Sequence, residues 1–281
     1  MASTDRSTPA TESLHQQVAR SIRNQIQSGR LRDGAVLPST RELAAEWKTS
    51  VYTINEAMRV LGDEGLVVSQ SRSKRVVHAP VGVNPAAWRP EVPRAVLIGG
   101  YPGSGKSELG RILGRQTGWA VVDKDTITRP VVEAALEVLG RSPHDRESAD
   151  YLNIVRPREY DALLAATLEN VECGNSVVSV APFLREFRDQ AWLDRTVARL
   201  NERGAVATLV WVRCDPDSMQ QYIRHRGAAR DAAKLADWGA YLAGVDTEFR
   251  PTADHELIDN SASSSPLQGQ AKDLVAKILS R

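Results

Sequence analysis

Cysteine is scarce in this 281-residue chain. Cys173 and Cys214 stand alone, too far apart for a metal knuckle or a CxxC motif, and a reduced, cytoplasmic setting fits. Long apolar runs are missing too. None approaches the roughly 20 residues that span a bilayer, and the polar start Met1-Ala2-Ser3-Thr4-Asp5-Arg6 has no signal-peptide core, so no membrane partner is expected. Net charge is only +1, so any nucleic-acid surface must be a local patch. With 42% hydrophobic and 25% charged residues the chain fits neither a disordered nor a fibrous class. Its length is comfortable for two domains.

The most informative stretch is Gly100-Tyr101-Pro102-Gly103-Ser104-Gly105-Lys106-Ser107, which fits the phosphate-binding pattern GxxxxGK(S/T). Ala95-Val96-Leu97-Ile98 before it reads as a buried strand. Leu109, Ile112 and Leu113 after it fall on one helix face, and Gly118 offers a stop. Glycines let successive amides converge on phosphate oxygens at a helix N-terminus. Lys106 is expected to reach the β- and γ-phosphates of ATP, and Ser107 to place its hydroxyl on the accompanying Mg²⁺.

Taken in order, residues 1–12 read as a flexible tail. Leu14, Val18, Ile22 and Ile26 then recur every four residues and predict an amphipathic helix ending near Gly29. Ser39-Thr40-Arg41-Glu42 has the form of a capping box for a second helix through about Trp47. A third helix is expected from Ser50, with Ile54, Ala57, Met58 and Leu61 inward and Tyr52, Thr53, Asn55, Glu56 and Arg59 outward. Two short helices joined by a tight turn form the helix-turn-helix arrangement for a major groove. Leu66-Val67-Val68 and Arg75-Val76-Val77 predict a hairpin with the basic tip residues Arg72 and Lys74.

Residues 13–79 resemble the GntR family of winged helix-turn-helix regulators. The likeness rests on Ser28-Gly29-Arg30-Leu31, Leu37-Pro38-Ser39-Thr40-Arg41-Glu42-Leu43-Ala44 and Glu64-Gly65-Leu66-Val67. It implies that Arg41 and the start of the third helix (Ser50, Tyr52, Thr53, Asn55) meet an operator in double-stranded DNA, while Arg72, Lys74 and Arg75 of the wing follow the backbone. Val51 and Asn55 stand where the family commonly carries arginines.

Pro80, Pro85, Pro90 and Pro93 mark residues 80–93 as a proline-rich linker. Beyond it, strand-like segments at 119–122, 175–182, 207–212 and 256–258 alternate with helical ones. An α/β domain with a parallel sheet over 94–281 is expected. Val131, Val132, Ala135 and Leu136 are expected on one inward helix face. The third strand, Val177-Val178-Ser179-Val180-Ala181-Pro182, has no acidic residue where a Walker B aspartate would sit.

This half resembles the P-loop kinases of small molecules and polynucleotides, a group that includes chloramphenicol phosphotransferase and zeta-type toxins. The likeness implies that Asp125, at the end of the second strand, acts on the acceptor hydroxyl, with Asp123 expected on the opposite face. It also implies an arginine-bearing lid, for which Arg226, Arg230 and Lys234, spaced four apart, are expected to share one helical side. Magnesium would rest on Ser107, water and Asp123 or Asp125. Asp259-Asn260-Ser261 is the expected seat of the nucleotide base, and 141–160, with His144, Asp145, Arg146, Arg156 and Arg158, the expected acceptor region.

Three functions compete on these grounds. They are a GntR-type transcription regulator with an ATP-binding domain, a small-molecule phosphotransferase whose winged helix serves dimerisation or autoregulation, and a zeta-like toxin kinase. The candidate partners are DNA, ATP, a phosphate acceptor and a second copy of the chain.

Overall fold

The computed structural model describes residues 13–27, 30–70, 74–78, 92–228 and 231–281. The expected tail at 1–12, the helix stop at Gly29, the wing-tip residue Arg72, most of the 80–93 linker and the lid residue Arg230 lie outside these described residues.

Three helices and a hairpin come first: α1 (Leu14–Gln27), α2 (Thr40–Glu46), α3 (Val51–Asp63), β1 (Val67–Ser69) and β2 (Arg75–Val77). The capping box at α2 is complete, with the Glu42 amide donating to Ser39 Oγ and the Ser39 amide to Glu42. Lys48 makes the turn to α3 in a left-handed conformation, φ 49°, and Ser50 caps α3 by accepting from the Thr53 amide. The hairpin is antiparallel, Val67 opposite Val77. Val18, Ile22, Ile26, Trp47, Ile54 and Leu61 meet in its core. Leu14 sits outside that seam, 37% exposed. The polar side of α1 is itself covered: Arg20, Ser21 and Asn24 are buried along with the apolar stripe.

The second half runs β3 (Arg94–Gly99), α4 (Lys106–Thr117), β4 (Ala120–Asp123), α5 (Lys124–Val138), α6 (Arg156–Glu172), β5 (Val177–Val180), α7 (Gln190–Asn201) and β6 (Val206–Arg213). It continues through α8 (Pro216–Arg226), α9 (Ala232–Ala236), α10 (Trp238–Ala243), β7 (Glu256–Asp259) and α11 (Leu267–Leu279). All five strands are parallel, in the order β4-β5-β3-β6-β7. Alternate residues of the central strand β3 serve opposite layers. Ala95 and Leu97 pack with α6 and α7, and Val96 and Ile98 with α4 and α11. Burial on both faces explains the unbroken apolar run. Of the four α5 residues expected inward only Val132 and Leu136 are buried, in line with Lys124 and Thr128, whereas Val131 is 72% exposed. The expected four-residue inward face is therefore a narrower i, i+4 contact.

The two halves touch through α1, α2 and α8. The Arg20 guanidinium donates to the carbonyls of Ala262, at 3.0 Å, and Ser264 in the loop after β7. The His225 ring lies on Trp47 with centroids 3.6 Å apart, and its Nδ1 is 3.6 Å from Glu46 Oε1. Burial lowers the His225 pKa, with Glu46 opposing the shift.

Candidate nucleotide site and DNA-binding face

The loop between β3 and α4 has a shape that only glycine permits at two points. Gly103 has φ 85° and Gly105, the residue that opens α4, φ 93°. A Cβ on Gly103 would lie 2.8 Å from the Met219 carbonyl oxygen, and one on Gly105 2.2 Å from Asn260 Nδ2. Asn260 instead donates that amide to the Ser104 carbonyl at 3.1 Å and holds the loop from behind. Gly103, Gly105, Lys106 and Ser107 line a cavity of about 480 Å³. The other residues expected to bind the cofactor support the loop. Ser104 is fully buried, the Gly100 amide donates to the Pro182 carbonyl, and Tyr101 packs edge-on against Trp211 while its hydroxyl accepts from the Asp246 amide. Pro102, between them, is half-buried.

Ser107 Oγ donates to Asp123 Oδ2 at 2.7 Å, and the other oxygen of Asp123 accepts from the Asp125 amide at 2.9 Å. Both aspartates line the cavity, which corrects the expectation that Asp123 faces away from Asp125. Residues two apart share a face of a strand, so alternation never separated them, and here Asp123 ends β4 and caps α5 while Asp125 sits in its first turn. A hydroxyl beside a carboxylate is a donor set suited to Mg²⁺, whose remaining ligands would be nucleotide oxygens and water. At the end of β5, where no carboxylate was expected, Ser179 is buried and hydrogen-bonded to Thr167.

Beneath Asp125 lies a buried charged network. Lys124 Nζ is 3.1 Å from Asp125 Oδ1 and 2.6 Å from Glu159 Oε1. Glu159 also accepts from Thr128 Oγ1 at 2.9 Å and from the Tyr151 hydroxyl at 2.8 Å. Burial, with the Glu159 charge beside it, pushes the Tyr151 phenol well above its ordinary pKa, so it stays a donor. Here the 141–160 segment departs from expectation. None of its residues lines the cavity, and Arg156 is paired with Glu186 at 2.8 Å.

The lid is corrected as well. Arg226 lines the cavity, but α8 stops there because Gly227 turns left-handed at φ 58°, and Lys234 belongs to α9. They share Asp231, not a helical side: Arg226 Nε donates to Asp231 Oδ2 at 2.9 Å and Lys234 Nζ to Oδ1 at 3.4 Å. Two further cavity residues, Arg111 and Arg129, escaped the sequence reading. Each lies four residues beyond a site residue, Ser107 and Asp125, and that spacing on one helix face was the available signal. Asn260 lines the cavity, whereas Asp259 is engaged by Arg213 at 2.8 Å.

On the winged helix, Arg41, Ser50, Asn55 and Lys74 are exposed, Thr53 is half-buried and Tyr52 is 74% exposed. Arg75 donates to Thr40 Oγ1 at 2.6 Å and to Asn55 Oδ1 at 3.0 Å, joining the wing to both helices. Part of the expected DNA-reading set is thus also structural. Among the described residues no helix is long and apolar enough to cross a membrane.

A glycine loop between a central parallel strand and its helix, beside a winged helix, defines a P-loop kinase-like half carried with a regulator-type DNA-binding half. The family model described as "AAA domain" matches residues 96–247 and that of "Bacterial regulatory proteins, gntR family" matches 14–77, and the chain belongs to both families by these segments. YtrA from Sulfolobus acidocaldarius, a GntR-family transcription factor, is 35% identical over 27% of this chain and 78% of its own, with a TM-score of 0.22. A protein of Chloroflexus aurantiacus described as a kinase matches with a TM-score of 0.50 and 17% identity over 67% of this chain and 97% of its own. The APS kinase CysC of Mycobacterium tuberculosis matches with a TM-score of 0.44 and 19% identity, over 68% and 100%. No curated protein matches the chain.

Proposed function

We propose that this chain is a GntR-type transcription regulator whose P-loop half binds ATP with magnesium, as effector or as substrate. The observation that carries the ATP half is the cavity in which Gly105, Lys106, Ser107 and Asp123 converge, with Ser107 and Asp123 already in contact. In this reading the loop amides and Lys106 hold the phosphates. Ser107 and Asp123 would hold the cation, whose charge neutralises the phosphate oxygens. Arg41, Tyr52, Thr53 and the wing cations Arg72 and Lys74 meet duplex DNA.

The second reading is an ATP-dependent small-molecule phosphotransferase, and Asp125 favours it. Its carboxylate lines the cavity and is oriented by Lys124. A carboxylate so placed can accept the acceptor hydroxyl's proton, an effect worth about 10²-fold to 10⁴-fold. Arg226 would release Asp231 to meet the transferred phosphoryl group.

Lys106→Ala is expected to abolish measurable ATP binding in calorimetry while changing the melting profile little, since it removes a phosphate contact and no member of the apolar core. Unchanged affinity would overturn the site. A mobility shift on the protein's own promoter region tests the regulatory half, and no binding at low salt with or without ATP would sink it. Phosphoryl transfer from labelled ATP, lost in Asp125→Asn with binding retained, would move the choice to the second reading.

A further inference from the structure

Helix α1 is buried on two sides. Its apolar stripe enters the winged-helix core, while Arg20, Ser21 and Asn24 are buried as polar groups. Arg20 shows where that polar side goes, because its guanidinium is bound by the Ala262 and Ser264 carbonyls of the P-loop half. Asn24 lies four residues on, one turn along the same face. It is 4% exposed, it lines the same cavity as Lys106 and Ser107, and its Oδ1 has no hydrogen-bond partner among the described residues. Ser21, Gln25, Arg30 and Glu46 of the winged-helix half line that cavity too. A buried amide oxygen without a partner is costly, and here it stands at the wall of a polar cavity.

We propose that the winged helix completes the nucleotide site, with Asn24 Oδ1 accepting a hydrogen bond from the nucleoside end of the bound triphosphate. This rests on the reading of the cavity as an ATP site. The chemistry selects the nucleoside end. An amide oxygen needs a donor, and ionised phosphates offer none, whereas the ribose hydroxyls and the base amine do. The nucleotide is then held between the DNA-reading half and the P-loop half.

Calorimetry on the full chain tests this with ATP and with inorganic tripolyphosphate, for the wild type, Asn24→Leu and Arg20→Ala. Asn24→Leu is expected to weaken ATP binding about five- to tenfold, the worth of one neutral hydrogen bond, and to leave tripolyphosphate binding unchanged. Arg20→Ala, which unties α1 from the 262–264 loop, is expected to weaken ATP in the same selective way. Should the leucine variant not fold, Asn24→Ser removes the amide with less disturbance and carries the same expectation. Equal ATP affinity in the wild type and the Asn24 variant would overturn the proposal, as would equal losses for ATP and tripolyphosphate. Failure of the wild type itself to bind ATP would instead overturn the reading beneath it, and the two failures are therefore distinct.

Discussion

The two halves of this chain present recognition chemistry in opposite ways. In the P-loop half the expected ligand contacts are largely main chain, held in a concave site by conformations that a Cβ would destroy at Gly103 and Gly105. In the winged-helix half they are side chains on a convex surface: Tyr52 and Asn55 project from α3, and no core contact dictates their identity. A site made of backbone geometry constrains its residue types. A site made of exposed side chains leaves them free to change with the target. Folding supports differ as well. The sheet is packed on both faces, whereas the winged helix has one small core and leans on its neighbour through Arg20 and His225. Small domains bury proportionately less of their surface and have less stability to lose.

That contrast is sharpest under core deletion. Leu61→Ala empties a fully buried position of the winged-helix core and is expected to cost about 2–5 kcal/mol. In urea unfolding followed by circular dichroism it should produce an early transition confined to the winged helix, with the sheet unfolding later. A single transition shifted as a whole would show that the halves fold as one unit and break the comparison. Next in size is Gly103→Ala, which forces a Cβ against the Met219 carbonyl at a left-handed position. Overpacking of this kind costs about 1–3 kcal/mol. ATP affinity should fall further than stability does, because the loop itself is displaced. Calorimetry showing normal affinity would mean that the loop can yield where its neighbours leave no room.

Much of this contrast was legible beforehand, for physical reasons. The glycine loop, the Ser39–Glu42 capping box and the start of α3 at Ser50 are local devices, written within four to eight residues, and the structure has each of them there. The parallel sheet was legible because its central strands β3 and β5 are buried on both faces and read as continuous apolar runs. What escaped depends on contacts distant in sequence. Helix α7 buries only Leu193, Thr196 and Leu200 among charged residues, too thin a stripe to stand out. The four-residue spacing of Arg226, Arg230 and Lys234 implied one helix, and Gly227 ended it. The buried polar side of α1 could not be foreseen, since a polar helix face is ordinarily wet and only the docking of the P-loop half covers it. The pairing of Asp123 with Ser107 depends on the docking of α4 beside the end of β4, which no local pattern encodes.

A smaller effect separates the halves by pH. Asp215 caps α8. Burial pulls its carboxyl upward, but the Ser218 hydroxyl and the amides of Ser218, Ala262 and Asp217 outweigh burial and hold it below its ordinary value. A depressed folded pKa means that the stabilisation is complete above the unfolded carboxylate value, about 3.9, and is lost as pH falls through the lower folded value. Asp215→Asn keeps one acceptor for the cap but loses the ionised carboxylate that accepts from both Ser218 and Ala262, so it should cost some stability at neutral pH. Its acid-unfolding curve for the P-loop half should be flatter below about pH 4. An unchanged acid limb would remove Asp215 from the acid sensitivity of that half.

The smallest expected effect tests the convex surface and leaves the fold untouched. Lys74 is exposed on the wing with no core role, whereas Arg75 is tied to Thr40 and Asn55. Lys74→Ala should therefore lower the slope of log affinity for duplex DNA against log salt by about one unit, the signature of one lost phosphate contact, without moving the melting temperature. Arg75→Ala should do something different. By releasing Asn55 and Thr40 it should loosen the wing against α3 and alter sequence preference, because the geometry that presents α3 to the groove depends on that bridge. If the two substitutions gave the same salt slope and the same sequence preference, Arg75 would be one more phosphate contact, and the winged helix would present its DNA-binding side chains without internal support.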